Sequence, residues 1–412
     1  MGDQKLALEG GQPTRREPFD YQCIGGNLIG DEELALVTEV IRSRTLFRHY
    51  GPQKPHMVDD FEHSVCELVG SRYTLATATG SGAWFCALAA LGLRPNDEVI
   101  IPAFGWITDY SSVSLAGAVP VFAGIDESLN LSPEAFQDKI TPQTRAVIVI
   151  HYQGGASRLD EIVAIARNRG IKVIEDVAQS CGGLYGGKRL GTWGDISCFS
   201  LQTHKMITAG DGGFLTTDDQ EYFERAVRFH DLGLLRPAFE RRLKAPVMTE
   251  PICGMQWRMN ELNGAVALAQ IRKLPAMLKR IKDNALFVRG EMESALPELR
   301  FRAVAPENDI GIIVAFDLGC DANVDYFRKA FVAEGCVYGP TSYCQTMGNI
   351  DVVRSCLTKA GRYQPSDFTS TEQIEKRFAI IAILPVYANR DVQDIARAAT
   401  KVLLAMKKKQ MM

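Results

Sequence analysis

The chain has 412 residues, of which 46% are hydrophobic and 23% charged, and its formal net charge is −3. A chain of this length is too long for one compact core, and this composition is typical of a soluble globular protein with two unequal domains. The small negative charge gives no general electrostatic attraction to nucleic acid or to anionic membranes.

Three further features bear on where the protein works. No uncharged apolar run approaches the length of a membrane-spanning helix. The ten cysteines are spread along the chain without a Cys-x-x-Cys pair, which is typical of reduced thiols rather than of disulfides or a zinc site. The N-terminus lacks the basic and then apolar pattern of a signal peptide. We therefore expect a cytoplasmic protein that binds no metal.

The first part of the chain predicts an arm followed by two helices. Residues 1–30 are rich in glycine, proline and arginine and are predicted to form an N-terminal arm. Apolar residues at helical spacing predict helices over 31–43 and about 58–69, the first capped by Asp31. The aromatic and basic segment 44–57 between them is predicted to be a loop.

Apolar strands and helices then alternate. Strands are predicted at 73–78, 98–101, 119–123, 145–152 and 172–176, and helices at 81–92, 109–116 and 160–169. This alternation is typical of a mostly parallel sheet with helices on both faces, which makes a three-layer α/β domain. We assign residues 31–285 to this large domain.

The remaining chain is predicted to form a smaller C-terminal α+β domain over residues 286–412. A long helical stretch near 262–293 leads into it. Its predicted strands are 310–318, 337–338 and 380–384, and its predicted helices are about 324–334 and 392–407.

A carboxylate marks the end of one predicted strand. The strand 172–176 ends on Asp176, and Gln179 follows three residues later. In parallel sheets ligands gather at the carboxyl ends of the strands, where Asp176 would lie. The alternative is that Asp176 caps a helix or belongs to a loop, and that Gln179 only bonds the backbone.

A lysine follows a second strand end. Ser200 ends an apolar strand, Lys205 comes five positions later, and the glycine-rich turn 210–213 follows. A carboxylate, a lysine and glycine turns of phosphate size are what a protein needs to hold pyridoxal phosphate (PLP). The carboxylate keeps the pyridine nitrogen protonated, the lysine forms a Schiff base, and hydroxyl and glycine groups bind the phosphate. The alternative is that Lys205 is an ordinary surface lysine.

Two other segments could complete such a site. Residues 79–83, with Gly80 and Ser81, follow a strand and open a helix, whose N-terminal N–H groups favour an anion. Trp106 follows the strand 98–101 and could stack on a flat ring. The alternatives are a tight strand–helix turn and ordinary aromatic packing.

Two histidines are candidate acid–base groups. His204 adjoins the lysine, and His151 follows an apolar strand. Histidines in such positions are often only packed and hydrogen-bonded, and that alternative stays open for both.

Four motifs in order along the chain are similar to those of a known family. They are Glu175-Asp176-x-Ala178-Gln179, Ser200-x4-Lys205, Thr208-x-Gly210-Asp211-Gly212-Gly213 and Gly254-Met255-Gln256-Trp257-Arg258-Met259-x-Glu261. With them the chain resembles the DegT/DnrJ/StrS sugar aminotransferases, which are PLP-dependent transferases of fold type I, the aspartate aminotransferase fold. The resemblance spans about residues 25–290 and continues weakly to Leu384-Pro385-Val386.

The resemblance implies a role for each matching residue. Lys205 would be the Schiff-base lysine, Asp176 the partner of the pyridine nitrogen, Gln179 a neighbour of the phenolic oxygen and Trp106 the stacking ring, while Gly80, Ser81 and Ser200 would bind phosphate. It also implies a homodimer with shared active sites, in which each subunit gives an asparagine to its neighbour's phosphate site. Gln256 stands at that position here, with the same amide on a longer side chain.

The implied reaction is transamination, with pyridoxamine phosphate as the intermediate form of the cofactor. The donor would be glutamate or glutamine. The acceptor would be a nucleotide-linked keto-sugar, a keto-cyclitol or an eight-carbon keto-sugar acid. The segment 46–50 is similar to a Phe-Arg-Tyr stretch of the enzymes for that acid, so Arg48 could bind its carboxylate bidentately. The alternative is a solvent-facing arginine on a loop.

Two other functions remain open from the sequence. One is a PLP-dependent sugar dehydratase or lyase; related dehydratases replace the lysine by histidine, and here Lys205 is present beside His204. The other is a non-catalytic PLP-binding sensor, although no DNA-binding element or basic stripe accompanies it.

Overall fold

The structure is a computed structural model, and it describes residues 5–19, 24–339 and 344–411. Part of the predicted arm, residues 1–4 and 20–23, lies outside the described residues. No helix in the described ranges is long and apolar enough to cross a membrane.

Thirteen α-helices occur in the described chain. They are α1 Asp31–Ser43, α2 Met57–Val69, α3 Gly80–Leu91, α4 Ile107–Leu115, α5 Pro133–Asp138, α6 Leu159–Asn168, α7 Gln220–His230, α8 Pro237–Glu240, α9 Glu261–Ala295, α10 Asp321–Ala333, α11 Asp351–Lys359, α12 Ser366–Glu375 and α13 Asn389–Lys408. Five short 3₁₀ turns lie at Ala7–Glu9, Gly26–Leu28, Tyr152–Gly154, Pro306–Asn308 and Met347–Asn349.

Fourteen strands accompany these helices in the same ranges. They are β1 Tyr73–Thr77, β2 Glu98–Pro102, β3 Phe104–Gly105, β4 Val119–Ala123, β5 Thr144–Ile150, β6 Lys172–Asp176, β7 Leu184–Tyr185, β8 Lys188–Arg189, β9 Ile196–Ser200, β10 Gly213–Thr217, β11 Arg300–Phe301, β12 Ile313–Asp317, β13 Gln345–Thr346 and β14 Phe378–Ala382.

The large sheet has seven strands in the order β1-β10-β9-β6-β5-β2-β4. The five strands from β9 to β4 are parallel, and β10 is antiparallel to both of its neighbours. Its strands are almost entirely buried, as near-continuous apolar strands between two helical layers should be. The predicted mostly parallel α/β sheet is confirmed.

The register of this sheet brings three strand ends to one edge. Asp176 pairs with Ile150 at the end of β5 and with Cys198 of β9, two residues before Ser200. Because β5, β6 and β9 are parallel, the residues after each strand emerge on the same side of the sheet. Asp176 and Ser200 therefore lie at the same edge.

A second, antiparallel sheet of three strands, β11-β12-β14, lies in the C-terminal part of the chain. The 35-residue helix α9 packs against α1 and α2 on one side and against α13 on the other, so it connects the two parts. The predicted domain boundary at residue 285 falls inside this helix. The predicted strand 337–338 is wrong, since Tyr338 makes only an isolated bridge to Ile381.

Residues 5–19 of the predicted arm pack on the C-terminal part of the chain. The carboxylate of Glu334 accepts hydrogen bonds from the N–H groups of Ala7 and Thr14, each at 2.9 Å. Arg15 donates to Asp391 at 2.7 Å. These contacts involve buried or half-buried partners, so this segment is part of the folded body.

Candidate active site

Asp176 ends β6 at the edge of the large sheet and is buried. Its Oδ1 accepts a hydrogen bond from the N–H of Ala178 at 2.8 Å. Burial raises the pKa of Asp176, while the Ala178 N–H and the positive charge of Lys205 oppose this rise. The structure therefore brings the predicted carboxylate and the predicted lysine within electrostatic reach of each other.

Lys205 lies in the half-buried turn that follows β9. Its backbone N–H donates to the carbonyl of Gln202 at 2.8 Å, and its carbonyl accepts from Gly25 at 2.9 Å. These two bonds fix the backbone on either side of the lysine side chain. The backbone of Lys205 is thus anchored on both sides, and its charge interacts with the carboxylate of Asp176.

An anion cradle lies beside them at the start of α3. Thr79 caps this helix by accepting from the N–H of Gly82 at 2.9 Å, which leaves the first-turn N–H groups of Gly80 and Ser81 at the open end. A Cβ on Gly80 would lie 3.1 Å from Oγ of Ser200. The helix N-terminus and the hydroxyl of Ser200 therefore lie close together, in a space that a side chain at position 80 would narrow.

The glycine-rich turn 210–213 is the third wall of this cradle. A Cβ on Gly213 would lie 2.6 Å from Cα and N of Gly80, closer than side chains approach backbone. Gly210 has φ of +81° and Gly212 φ of +146°, which residues with a side chain rarely adopt. The glycines predicted from sequence are required by close approach and by backbone conformation.

Trp106 is the residue immediately before α4. It follows the end of β2, which is at the same edge of the sheet as the ends of β5 and β6. It is 39% exposed, so part of the residue is accessible to solvent. This placement is compatible with a stacking role, which stays a prediction.

Gln179 is oriented by two hydrogen bonds. Its Oε1 accepts from the backbone N–H of Gln153 at 3.2 Å, and its Nε2 donates to Sγ of Cys344 at 3.2 Å. One of the two partners is a backbone N–H, as in the alternative interpretation, so a role of Gln179 beside the cofactor stays a prediction. Cys344 and Gln153 were not singled out from sequence, because they lie far from Gln179 along the chain.

The turn that carries Gln153 is strained and braced from the C-terminal part of the chain. Gln153 has φ of +45°, a left-handed conformation that costs about 1–3 kcal/mol for a residue other than glycine. Buried Arg302 donates to the carbonyls of Tyr152 and Gln153, each at 2.9 Å. The same guanidinium is held by Asp309 at 2.7 Å. Arg302 therefore stabilises the turn that orients Gln179.

His151 is a packed histidine and not an acid–base group facing the site. It is fully buried, Nε2 contacts Oε2 of Glu175 at 3.2 Å, and Nδ1 accepts from the N–H of Ser157 at 3.2 Å. Both ring nitrogens are occupied by the protein itself, which assigns the proton to Nε2. The catalytic reading of His151 is therefore not supported.

His204 is exposed beside Lys205, and its backbone N–H donates to Oε1 of Gln202 at 2.9 Å. Its side-chain role stays a prediction.

Arg48 is neither a solvent-facing arginine nor an available carboxylate binder. It is 6% exposed, and its guanidinium donates to Glu62 at 2.9 and 2.8 Å and to Asp59 at 2.5 Å. Arg242 also donates to Glu62, at 2.6 Å. Two carboxylates of its own chain occupy the guanidinium, so both sequence-based interpretations of Arg48 are corrected.

Gln256 is exposed, at an isolated bridge to Asp231. The next residue, Trp257, accepts a hydrogen bond from the N–H of Ala78 at 2.6 Å, just before the cradle. The ring of Trp257 also covers Gly82 and stacks on Phe85 at 5.7 Å. The segment thus borders the cradle with the Gln256 side chain at the surface, and its reach into a neighbouring subunit stays a prediction.

One acidic residue at the site was missed. Asp109, in the first turn of α4, is fully buried and in side-chain contact with Asp176. From sequence it marked only the start of a helix. Two signals in the sequence could have placed Asp109 at the site. It follows Trp106 by three residues, and both come after a strand that ends at the same sheet edge as Asp176.

These groups together fit PLP. The cradle offers helix N–H groups and a hydroxyl for the phosphate, Asp176 offers a buried carboxylate for the pyridine nitrogen, and Lys205 offers a primary amine within electrostatic reach of Asp176. No group of three or more potential metal ligands occurs among the described residues.

Comparison with known proteins assigns the family. The family model of the DegT/DnrJ/EryC1/StrS aminotransferase family matches residues 27–400, and the chain belongs to this family. It is accordingly a PLP-dependent aminotransferase.

Solved structures share the whole fold at low identity. The aminotransferase from Psychrobacter cryohalolentis is 22% identical with a TM-score of 0.80, over 92% of this chain and 98% of that one. Helicobacter pylori PseC, an aminotransferase involved in the biosynthesis of pseudoaminic acid, is 19% identical with a TM-score of 0.79, over 94% and 100%. E. coli GDP-4-keto-6-deoxy-D-mannose-3-dehydratase is 21% identical with a TM-score of 0.77, over 92% and 99%. The fold is therefore shared by aminotransferases and a dehydratase.

Proposed function

We propose that this aminotransferase moves an amino group from glutamate or glutamine to the keto group of a sugar, with Lys205 as its catalytic residue. The observation that carries the proposal is the meeting of Lys205, Asp176 and the Gly80–Ser200 cradle at one edge of the large sheet.

Each group has a definite task. When bound, PLP would supply an exocyclic carbon that can carry the amino group and a pyridine ring that can accept electrons. Asp176 keeps a negative charge beside the pyridine nitrogen, and the cradle holds the phosphate through Gly80, Ser81 and Ser200. Nζ of Lys205 removes the proton from the α-carbon of the donor, and in the second half of the reaction it returns a proton to the acceptor carbon.

The acceptor is proposed to be a sugar because the structural neighbours include sugar enzymes. One of them, DesI, was solved in the presence of its TDP-sugar product and shares 24% identity with this chain. Arg48 gives no reason to prefer an acidic sugar, since Glu62 and Asp59 hold its guanidinium. A nucleotide-linked keto-sugar or a keto-cyclitol is therefore tested first.

We also propose a homodimer that acts in the cytoplasm. Large apolar side chains are exposed next to the segment of Gln256: Leu232, Leu234, Val247, Met248 and Met255. Such a concentration of exposed apolar groups supports a protein interface there. A second subunit on this surface would bring Gln256 towards a neighbouring cradle.

The dehydratase alternative rests only on a shared fold. Lys205 is present where related dehydratases have histidine, and this supports transamination. The sensor alternative is excluded if the protein transfers the amino group from a donor amino acid to PLP, which is the first half of transamination.

The test is an absorption spectrum of the purified holoenzyme before and after L-glutamate or L-glutamine. We expect the visible cofactor band to bleach in the wild type and in Lys188→Ala, which removes an exposed lysine. Lys205→Ala should lack the band change. A cofactor-loaded wild type that never responds to any amino donor would contradict transamination and favour the dehydratase or the sensor.

A further inference from the structure

Asp109 is an unusual acid to find in a core. It is 0% exposed, and neither carboxyl oxygen has a well-aligned hydrogen-bond donor among the described residues. The backbone N–H groups of Trp106 and of Asp109 itself approach it and favour a negative charge only weakly. An isolated carboxylate without donors would be costly in such a position.

The neighbour of Asp109 makes an ionised state still less favourable. Its side chain contacts that of Asp176, which is also buried. Two carboxylates in contact in a dry environment cannot both be charged, so the pair keeps one proton. Burial raises the pKa of Asp109 well above its usual value, and the charge of Asp176 raises it further.

The surroundings decide which acid holds the proton. Asp176 has the N–H of Ala178 and the positive charge of Lys205, and both stabilise its ionised form. The other titratable groups around the pair are His151 and the buried thiols of Cys86, Cys198 and Cys344. Burial raises the pKa of these thiols, so they stay neutral and give Asp109 no compensating charge.

We propose that Asp109 is a positioning residue that stays protonated and donates its hydroxyl to the carboxylate of Asp176. The Asp109 O–H and the Ala178 N–H then hold Asp176 in one orientation, so that its remaining lone pairs are available to the pyridine nitrogen. The site keeps one negative charge at this point instead of two. This inference rests on the proposed role of Asp176.

The first test measures the proton without the cofactor. In apo protein, a carboxyl that is protonated when folded and ionised when unfolded loses its stabilising contribution as pH rises from about 4 towards its folded pKa. Relative to Asp109→Asn, the unfolding equilibrium constant of the wild type should therefore rise with pH above about pH 4, by up to about tenfold per pH unit until the folded pKa is reached. Asp138→Asn, which removes an exposed acid, should leave the pH dependence unchanged. Equal pH dependence in wild type and Asp109→Asn would overturn the proposal.

The second test measures the cofactor. Asp109→Asn keeps a neutral donor, so PLP affinity and the pKa read from the visible band should match the wild type. Asp109→Ala removes the donor and should weaken PLP binding by at least about tenfold. If Asp109 were ionised, Asp109→Asn would instead lower the pKa of the visible band by about one unit, and this would overturn the proposal.

The outcomes separate this inference from the proposed function. If Asp109→Ala binds PLP with wild-type affinity and spectrum, the positioning role is wrong. If Asp109→Ala does not fold, Asp109→Asn and the apo measurement still decide the protonation state. If the wild type binds no PLP, the proposed role of Asp176 fails, while the apo measurement still reports the proton.

Discussion

Adding one methyl group at Gly80 should abolish tight cofactor binding while leaving the fold intact. Gly80 is the first residue of α3, and its φ is not positive, so alanine fits the backbone there. The new Cβ would lie 3.1 Å from both Cβ and Oγ of Ser200, which requires a shift of a few tenths of an ångström. Helix propensity favours alanine over glycine by up to about 1 kcal/mol, so the stability should change little.

Binding should change far more. The methyl group would occupy the cradle and push the hydroxyl of Ser200 away from the phosphate. Loss of one hydrogen bond to a charged group costs about 1.5–3 kcal/mol, which is roughly a 10- to 150-fold loss of PLP affinity.

The assay is equilibrium titration of apo Gly80→Ala with PLP, followed by absorbance, beside urea unfolding of the apo protein. The matched control is Gly290→Ala on α9, where a Cβ would meet nothing within 4 Å. The control should gain a few tenths of a kcal/mol in stability and bind PLP normally. Wild-type affinity in Gly80→Ala would refute the placement of the phosphate.

Three further outcomes follow from the buried charges. Arg48→Met leaves the carboxylate of Glu62 buried with one partner fewer, and urea unfolding should show a loss of about 3–5 kcal/mol; an unchanged midpoint would contradict the ion cluster. Burial alone would raise the pKa of Glu62, but Arg48 and Arg242 hold it down to about 2. Its contribution of about 3 kcal/mol should therefore be complete above about pH 5 and lost as pH falls from about 4 to 2, which acid titration of stability in wild type and Glu62→Gln measures. His151→Asn should lower the stability and leave the pH profile of kcat unchanged. If the variant instead lost the rise or fall of kcat on one side of that profile, His151 would be an acid–base group in catalysis.

The sheet could be predicted from sequence because burial on both faces imposes near-continuous apolar strands. In the large sheet the predicted strands at 119–123 and 172–176 match the observed bounds, and those at 73–78, 98–101 and 145–152 differ by at most two residues at either end. The position of Asp176 and Ser200 at strand ends could be predicted for a related reason, since polar groups there interrupt an otherwise apolar pattern.

Residues whose surroundings come from distant parts of the chain could not be predicted in the same way. Arg48 was interpreted either as a carboxylate binder or as a solvent-facing loop arginine, but in the folded protein it is held by Glu62, which Arg242 also contacts. Gln153 and Arg302 are 149 positions apart, and the sequence around neither residue indicates their contact. Asp109 was interpreted only as the start of a helix, because its partner Asp176 lies 67 residues later, at the end of β6.

The central claim is that Lys205 carries the cofactor, and the most direct test is to locate the attachment. The holoenzyme is reduced with borohydride, which fixes PLP covalently to the amine that holds it, and the modified peptide is identified by mass spectrometry. We expect modification of Lys205 alone, lost in Lys205→Ala. Modification of a different lysine, or of none in a protein that retains PLP, would contradict it.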